Sequence, residues 1–363
     1  MSFIHKESII MQIGRTSNMG RKWLIYWSVL ALFSAILTSC ALETKEEAEK
    51  RLRDTGSAGK LTSVQFYVPV ENENKVAIVD IADASVVGEI EVGEGPMNTV
   101  FSSTMRQAYV TNHLSSTVSF IDTMNLKQTA EVEVGPMPHG LVLSPDNKTL
   151  YVATVADQYL YVLDTQKAEV TQTIDMGEGA KTNYIASYGK TIYVSDHEND
   201  KVYIVDMTTN SLERTLSTGS LPRAVKVSGD GSKLFVPTAN DGNLEIYDTA
   251  TGELLQVIAA VEGATDVVIT EDESVAVISG VEGNAIAFLD LKEGQALAII
   301  EDLPGAKHLA FNRLESRVYV TLSESDEVAV IDMESRKVEY KLEVGVRPHG
   351  IQLKALPGIG GSC

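Results

Sequence analysis

Cysteine is almost missing from this sequence: two occur in 363 residues, Cys40 and Cys363. A disulfide framework is therefore excluded. Basic residues are the minority, 30 Lys and Arg against 50 Asp and Glu, for a net charge of −20. Bulk electrostatics will not draw such a chain to nucleic acid. Long hydrophobic runs are missing except for Trp23 to Leu37. At 15 uncharged residues, that run falls short of the roughly 20 needed to span a bilayer comfortably. Several catalytic signatures are also missing. The chain has no GxSxG elbow, no HExxH, no P-loop and no GxGxxG after a strand. It has no CxxCH, so covalent haem is excluded. What remains is ordinary globular composition, 44 % hydrophobic and 22 % charged, which excludes bulk disorder.

The apolar run follows Arg21 and Lys22 and ends at Leu37-Thr38-Ser39-Cys40. A basic start, a short apolar core and small residues before a cut describe a secretory signal peptide over residues 1–39. Its ending resembles the lipobox of bacterial lipoproteins. The resemblance implies that Cys40 becomes the acylated N-terminus and that the protein reaches the membrane through this lipid. One acyl chain anchors only marginally, and lipoproteins of this kind carry several. A cell-envelope location, periplasmic or surface-facing, follows from it. Ala41, where an Asp would favour inner-membrane retention, inclines the expectation to the outer membrane. The leader holds Lys6, Arg15, Arg21 and Lys22 against Glu7, so the chain from Cys40 onward carries −23. Residues 40–61 are charged, then Gly-rich, and read as a flexible tether.

The body is periodic. The Asp that closes each Val/Ile-rich run stands at Asp80, Asp122, Asp164, Asp206, Asp248, Asp290 and Asp332, always 42 residues apart. A large apolar residue keeps the same interval at Tyr67, Tyr109, Tyr151, Tyr193, Phe235, Val277 and Tyr319. So does an aliphatic one at Ile90, Val132, Ile174, Leu216, Ile258, Ile300 and Leu342. Each unit reads as four short strands, for example Gly140–Ser144, Thr149–Thr154, Tyr159–Asp164 and Val170–Met176. Turn residues separate them. Seven such units predict an all-β, seven-bladed propeller of four-stranded antiparallel blades over residues 62–356. The first unit lacks an innermost strand, and Gly350–Lys354 is placed to supply it, so a composite blade closes the ring. Residues 357–363 read as a flexible tail.

Tyr109-Val110-Thr111-Asn112, followed by Val118 to Thr123, resembles the YVTN family of β-propeller repeats. Variants stand at Tyr151 to Thr154, Tyr193 to Asp196 and Tyr319 to Leu322. The resemblance implies the fold and leaves function open, because the family spans antigens, binding proteins and oxidoreductase domains.

Residues common to all seven units read as structural. The repeated Asp is expected to accept backbone N–H bonds in the turn it opens. Gly93, Gly135, Gly177, Gly219 and Gly345 are expected to let the chain turn back to the axis. Function is sought where the copies differ, at the start of each innermost strand. There stand Met97, His139, Lys181, Arg223, Thr265, Lys307 and His349, followed by Asn98, Gly140, Thr182, Ala224, Asp266, His308 and Gly350. Acidic loops surround them: Glu71 and Glu73, Asp196, Glu198 and Asp200, Glu324 and Asp326.

A cationic ring inside an acidic rim suits an anionic small molecule or an acidic protein partner at the top face. His139, Lys181, Arg223, Asp266, Lys307, His308 and His349 are the expected ligand-binding residues. The leading expectation is thus a non-catalytic binding or interaction scaffold. Two alternatives stand beside it. His139, His349 and Met97 should lie on one arc, and two imidazoles with a thioether suit a single copper or zinc ion. The propeller of nitrous-oxide reductase, similar in architecture, holds copper on axial histidines. A metal-dependent hydrolase resembling propeller lactonases would use Asp266, His308 and Arg223.

Overall fold

A computed structural model describes residues 64–355. The expected leader, Cys40, the whole of the expected tether, and the expected tail with Cys363 lie outside the described residues. Blade 3 shows how each unit folds. Its strands are β8 (Pro138–Leu143), β9 (Thr149–Thr154), β10 (Tyr159–Asp164) and β11 (Glu169–Asp175). The two middle strands are apolar over most of their length because another blade covers each face. The outermost strand exposes most of its residues, as its polar sequence requires.

Seven such four-stranded sheets form a seven-bladed propeller. The core lies between blades. Tyr151, Leu160 and Ile174 of blade 3 pack against Ile192, Val194 and Tyr203 of blade 4. Six of the seven Tyr/Phe/Val markers are at most 2 % exposed, among them Tyr67 and Val277. Among the described residues no helix is long and apolar enough to cross a membrane.

Blade 1 is composite, as expected. β28 (Gln352–Lys354) pairs with β1 (Gln65–Val70), setting Gln65 opposite Lys354 and Tyr67 opposite Gln352. The regular strand is shorter than the expected Gly350–Lys354, and the His349 N–H to Pro69 carbonyl bond (2.9 Å) extends its pairing. Phe66 and Val68 pack on Tyr319 and Val330 of blade 7, while Tyr67 and Ile78 pack on Phe101 and Val110 of blade 2. The ring is closed by packing on both sides of this blade.

The repeated Asp does the turn work assigned to it. Asp164 Oδ1 accepts the N–H groups of Gln166 (2.9 Å) and Lys167 (3.0 Å). Asp80, Asp122, Asp248 and Asp290 each take two N–H bonds in the same way. Asp206 and Asp332 take one each, from Thr208 and Ser335. The glycine expectation needs correction. Only Gly177 (φ +106°) and Gly345 (φ +119°) of the five use a left-handed conformation. Gly135 is small for another reason: a Cβ there would stand 2.3 Å from the Tyr161 ring.

The innermost strands carry the feature that builds the site. In five blades their pairing slips by one residue near the top, as between Pro138 and Leu141 or Ala306 and Leu309. Similar slips occur at Pro96/Thr99, Thr182/Ile185 and Ala264/Asp266. Such a bulge breaks the in–out alternation of the strand. Consecutive residues then crowd the axis.

Candidate functional site: the channel mouth

Three imidazoles meet where the innermost strands begin. The His349 ring lies 5.1 Å from His139 and 4.9 Å from His308, centroid to centroid. The Tyr184 ring fills the remaining side, 4.7 Å from His139 and 5.4 Å from His308. All four side chains are buried. They form an aromatic layer across the channel.

Hydrogen bonds fix two of the rings. His308 Nδ1 stands 3.1 Å from Asp266 Oδ2, which also accepts the Leu309 N–H (3.0 Å). An ionised carboxylate only accepts, so His308 carries its proton on Nδ1. Its Nε2 then accepts the Tyr184 hydroxyl at 3.1 Å. On the other side, Asn98 Nδ2 donates to His139 Nδ1 (3.3 Å) and to the His139 carbonyl (3.2 Å). His349 Nδ1 is buried without a partner. Burial holds His139 and His349 well below the usual imidazole range, and the neighbouring histidines and Lys307 push the same way. His139 and His349 are therefore neutral at physiological pH.

Past this layer, along the innermost strands, lies an axial cavity of about 170 Å³. All seven blades line it, with Asn98, Tyr184, Lys226, Asp266, His308 and Gln352 among its polar side chains and Gly140 among the rest. Gly140 lies close against the next innermost strand, since a Cβ there would sit 2.5 Å from the Asn183 carbonyl.

On the outer side of the layer lies the cationic mouth. Arg223 Nη2 pairs with Glu282 Oε1 (3.1 Å), while Arg223 Nε is buried with no partner. Arg347 Nε pairs with Glu71 Oε2 (3.0 Å). Lys307 lies among these groups. Burial pushes its ammonium down to about 8, and Glu71 and Glu282 act on it only through space. Two further histidines complete the mouth. The His113 ring lies 6.5 Å from His139 and bonds the Pro138 carbonyl; the His197 ring bonds the Lys181 carbonyl. Each has its Nδ1 buried without a partner, and burial lowers both.

The expected residues therefore divide. His139, His308, His349 and Asp266 come together as one cluster, and Lys307 and Arg223 stand over it. Lys181 contributes its backbone: its N–H bonds Asp196 Oδ2 (3.1 Å) and its carbonyl receives His197. Met97 is buried beside His349, where its carbonyl accepts the Gly350 N–H (2.9 Å). Among the described residues no group of three His, Cys, Asp or Glu has a metal-binding arrangement. The acidic rim is largely engaged, since Glu71 pairs with Arg347 and Asp196 holds Asn199, Tyr203 and the Lys181 N–H.

Sequence reasoning missed His113, His197, Tyr184 and Arg347. The two histidines were findable: each follows the last residue of a second strand, and they stand two repeat periods apart. Tyr184, third along the bulged strand Thr182–Tyr188, gave no such signal.

The solved structures that resemble this chain share its architecture. The periplasmic gluconolactonase of Pseudomonas aeruginosa superposes with a TM-score of 0.68 at 20% identity, covering 81% of this chain and all (100%) of that one. A functionally unknown protein from Desulfotomaculum acetoxidans has a TM-score of 0.68 at 16% identity over 80% and 98% of the two chains. Hydrazine synthase from Kuenenia stuttgartiensis has a TM-score of 0.64 at 19% identity over 70% and 88%. At such identities the likeness is one of fold. No curated protein matches the chain at a significant level. A family model for the YNCE-like beta-propeller matches residues 96–179 and 174–356, most of the chain. The chain belongs to the YNCE-like beta-propeller family.

Proposed function

We propose that this propeller is a binding module whose channel mouth takes a small hydroxylated anion or the equivalent acidic side chain of a partner. One observation carries the reading. Four buried nitrogens without hydrogen-bond partners gather around the mouth: Arg223 Nε and the Nδ1 atoms of His113, His197 and His349. Buried polar atoms are rarely left unpaired, so a cluster of them calls for a ligand. The guanidinium and the Lys307 ammonium supply positive charge and donors. Neutral imidazoles supply lone pairs, which hydroxyl groups satisfy. A hydroxylated carboxylate meets both demands, and acetate meets only the first.

The lipobox-like Leu37 to Cys40 supports the further proposal that acyl chains on Cys40 hold the module at the outer membrane, facing the periplasm or the exterior. Metabolic labelling with an alkyne fatty acid should mark the chain and fail on Cys40→Ala.

Calorimetric titration with gluconate, acetate and glucose tests the binding reading. Gluconate should bind at least about tenfold tighter than either, and Lys307→Met should remove at least about 1.4 kcal/mol of that affinity. Equal affinities for all three would overturn the reading. The hydrogen-bonded Asp266–His308 pair favours one second reading, hydrolysis of a lactone to such a hydroxy acid. It requires gluconolactone to open faster with the protein than in buffer, and faster than with His308→Gln.

A further inference from the structure

The loop that enters each innermost strand passes through one left-handed residue. In four blades it is a glycine: Gly95, Gly179, Gly263 and Gly305, with φ between +64° and +80°. A residue with a Cβ is strained in that conformation. Three blades carry one nevertheless: Met137 (φ +57°), Leu221 (φ +59°) and Arg347 (φ +61°). Arg347 reaches Glu71 from this position, and Leu221 is half-buried in it. Met137 does neither. Its side chain is 39 % exposed and belongs to neither core cluster that flanks blade 3.

A second apolar side chain lies next to it. The loop after each second strand holds Asn72, Ala156 and Asn240 at one position in three blades, and Glu198, Glu282 and Glu324 in three more. Blade 2 has Leu114 there, 66 % exposed. Leu114 and Met137 flank a single hydrogen bond, because the ring of His113 bonds the carbonyl of Pro138. Backbone bonds fix both loops. The His113 N–H donates to the Gly95 carbonyl (2.8 Å), and the Val155 N–H to the Met137 carbonyl (3.0 Å). The His113 ring in turn stands 6.5 Å from His139 of the imidazole layer.

Strain held at an exposed residue that the core does not use points to a contact made outside the fold. The rest of the rim differs from this pair. Arg223, Glu282 and Lys307 come from blades 5, 6 and 7, across the ring from blades 2 and 3. The mouth thus has a charged side and an apolar side, with the imidazole layer as its floor. We propose that Met137 and Leu114 form a shelf for a hydrocarbon chain carried by the anion. This rests on the anion-binding reading of the mouth. The carboxylate faces the charged side, a hydroxyl meets the imidazole lone pairs, and the alkyl chain runs past His113 to the shelf. The unbranched thioether of Met137 adapts to such a chain. The ligand class narrows to hydroxy acids with an alkyl tail.

The test uses two acids with the same head. 3-Hydroxyoctanoate has four more methylenes than 3-hydroxybutyrate, and each one covered is worth about fourfold in affinity. Covering two of them makes the longer acid bind more than about tenfold tighter to the full chain in calorimetric titration. Met137→Gly with Leu114→Asn installs residues that other blades hold at these positions, and should cut that ratio below about threefold. Leu254→Asn, at an exposed apolar residue on the outermost strand of blade 5, should keep the full ratio. Met137→Gly alone should melt no lower than the parent, since it relieves the left-handed strain. Equal affinities for the two acids would overturn the proposal. So would a ratio unchanged in the double variant, a ratio lost equally in Leu254→Asn, or a lower melting point for Met137→Gly. If gluconate binds in any of those cases, the shelf fails and the anion site stands. If neither gluconate nor either hydroxy acid binds, both readings fall.

Discussion

Gly350→Ala should destabilise the propeller through contact alone. Gly350 follows His349 where the last innermost strand meets blade 2. Its N–H donates to the Met97 carbonyl at 2.9 Å. A Cβ added there would stand 2.6 Å from that same oxygen and 2.9 Å from Asn98 Oδ1. Its φ is not left-handed, so alanine meets no conformational penalty of its own. The nearest obstacle is backbone, which cannot swing aside as a side-chain tip would. Overpacking of this kind costs about 1–3 kcal/mol. Weakening the hydrogen bond adds about 0.5–1.5 kcal/mol. The sum is about 2–4 kcal/mol, or roughly 4–10 °C in Tm for a domain of this size. Differential scanning calorimetry measures it directly. Gly229→Ala is the control: nothing lies within 4 Å of its added Cβ. It should be neutral or gain up to about 1 kcal/mol. A Gly350→Ala melting point within about 2 °C of the parent, or an equal loss in Gly229→Ala, would refute the close-approach argument.

Ending the chain at Gly345 removes β28 and His349, and should lower Tm by more than Gly350→Ala does; an unchanged Tm would sink the closure of the ring. His139 and His349 have lowered folded-state values, so the unfolded chain binds more protons below about pH 6.5. Stability should therefore fall as pH drops below 6.5, by about 1.4 kcal/mol per pH unit for each ring; a His139→Phe/His349→Phe chain that keeps the same slope contradicts this. Backbone donors hold Asp164, Asp206 and Asp248 below the usual carboxylate range. Their stabilisation is complete above about pH 4 and is lost as pH falls through the lowered values. Asp164→Asn/Asp206→Asn/Asp248→Asn should show a shallower fall in Tm below pH 4 than the parent. Tyr184→Phe leaves His308 Nε2 a buried acceptor without its donor, which costs about 1–3 kcal/mol, read as a lower midpoint in urea.

The blades were legible because each marker answers to one local demand. The turn Asp needs backbone donors two and three residues on, and the Tyr needs an interface, so both recur at the repeat period. The starts of the innermost strands were legible for the same reason, which is why His139, Lys307 and His349 were found. Of the two partners of His308, Asp266 was among the expected residues and Tyr184 was not. A strand read with strict alternation sends residues 307 and 308 to opposite sides, but the bulge between Ala306 and Leu309 brings both to the axis. Tyr184 reaches the same point from three blades away around the ring, a contact no periodicity encodes. Lys181 was misjudged in the other direction, since its backbone is what the site uses.

The composite blade has a consequence for how the molecule can be rewired. Gln65 and Lys354 are paired residues on adjacent strands, so the two ends of the propeller lie about 5 Å apart. A short linker joining them, with a cut in any Asp-held turn, gives a circular permutant that keeps every blade contact. The order of blades along the gene is then independent of their order around the axis. Seven permutants would place a chosen N-terminal attachment at seven different points on the circumference while the mouth stays the same. Activity or binding measured across that set would separate what the mouth does from where its leash is tied.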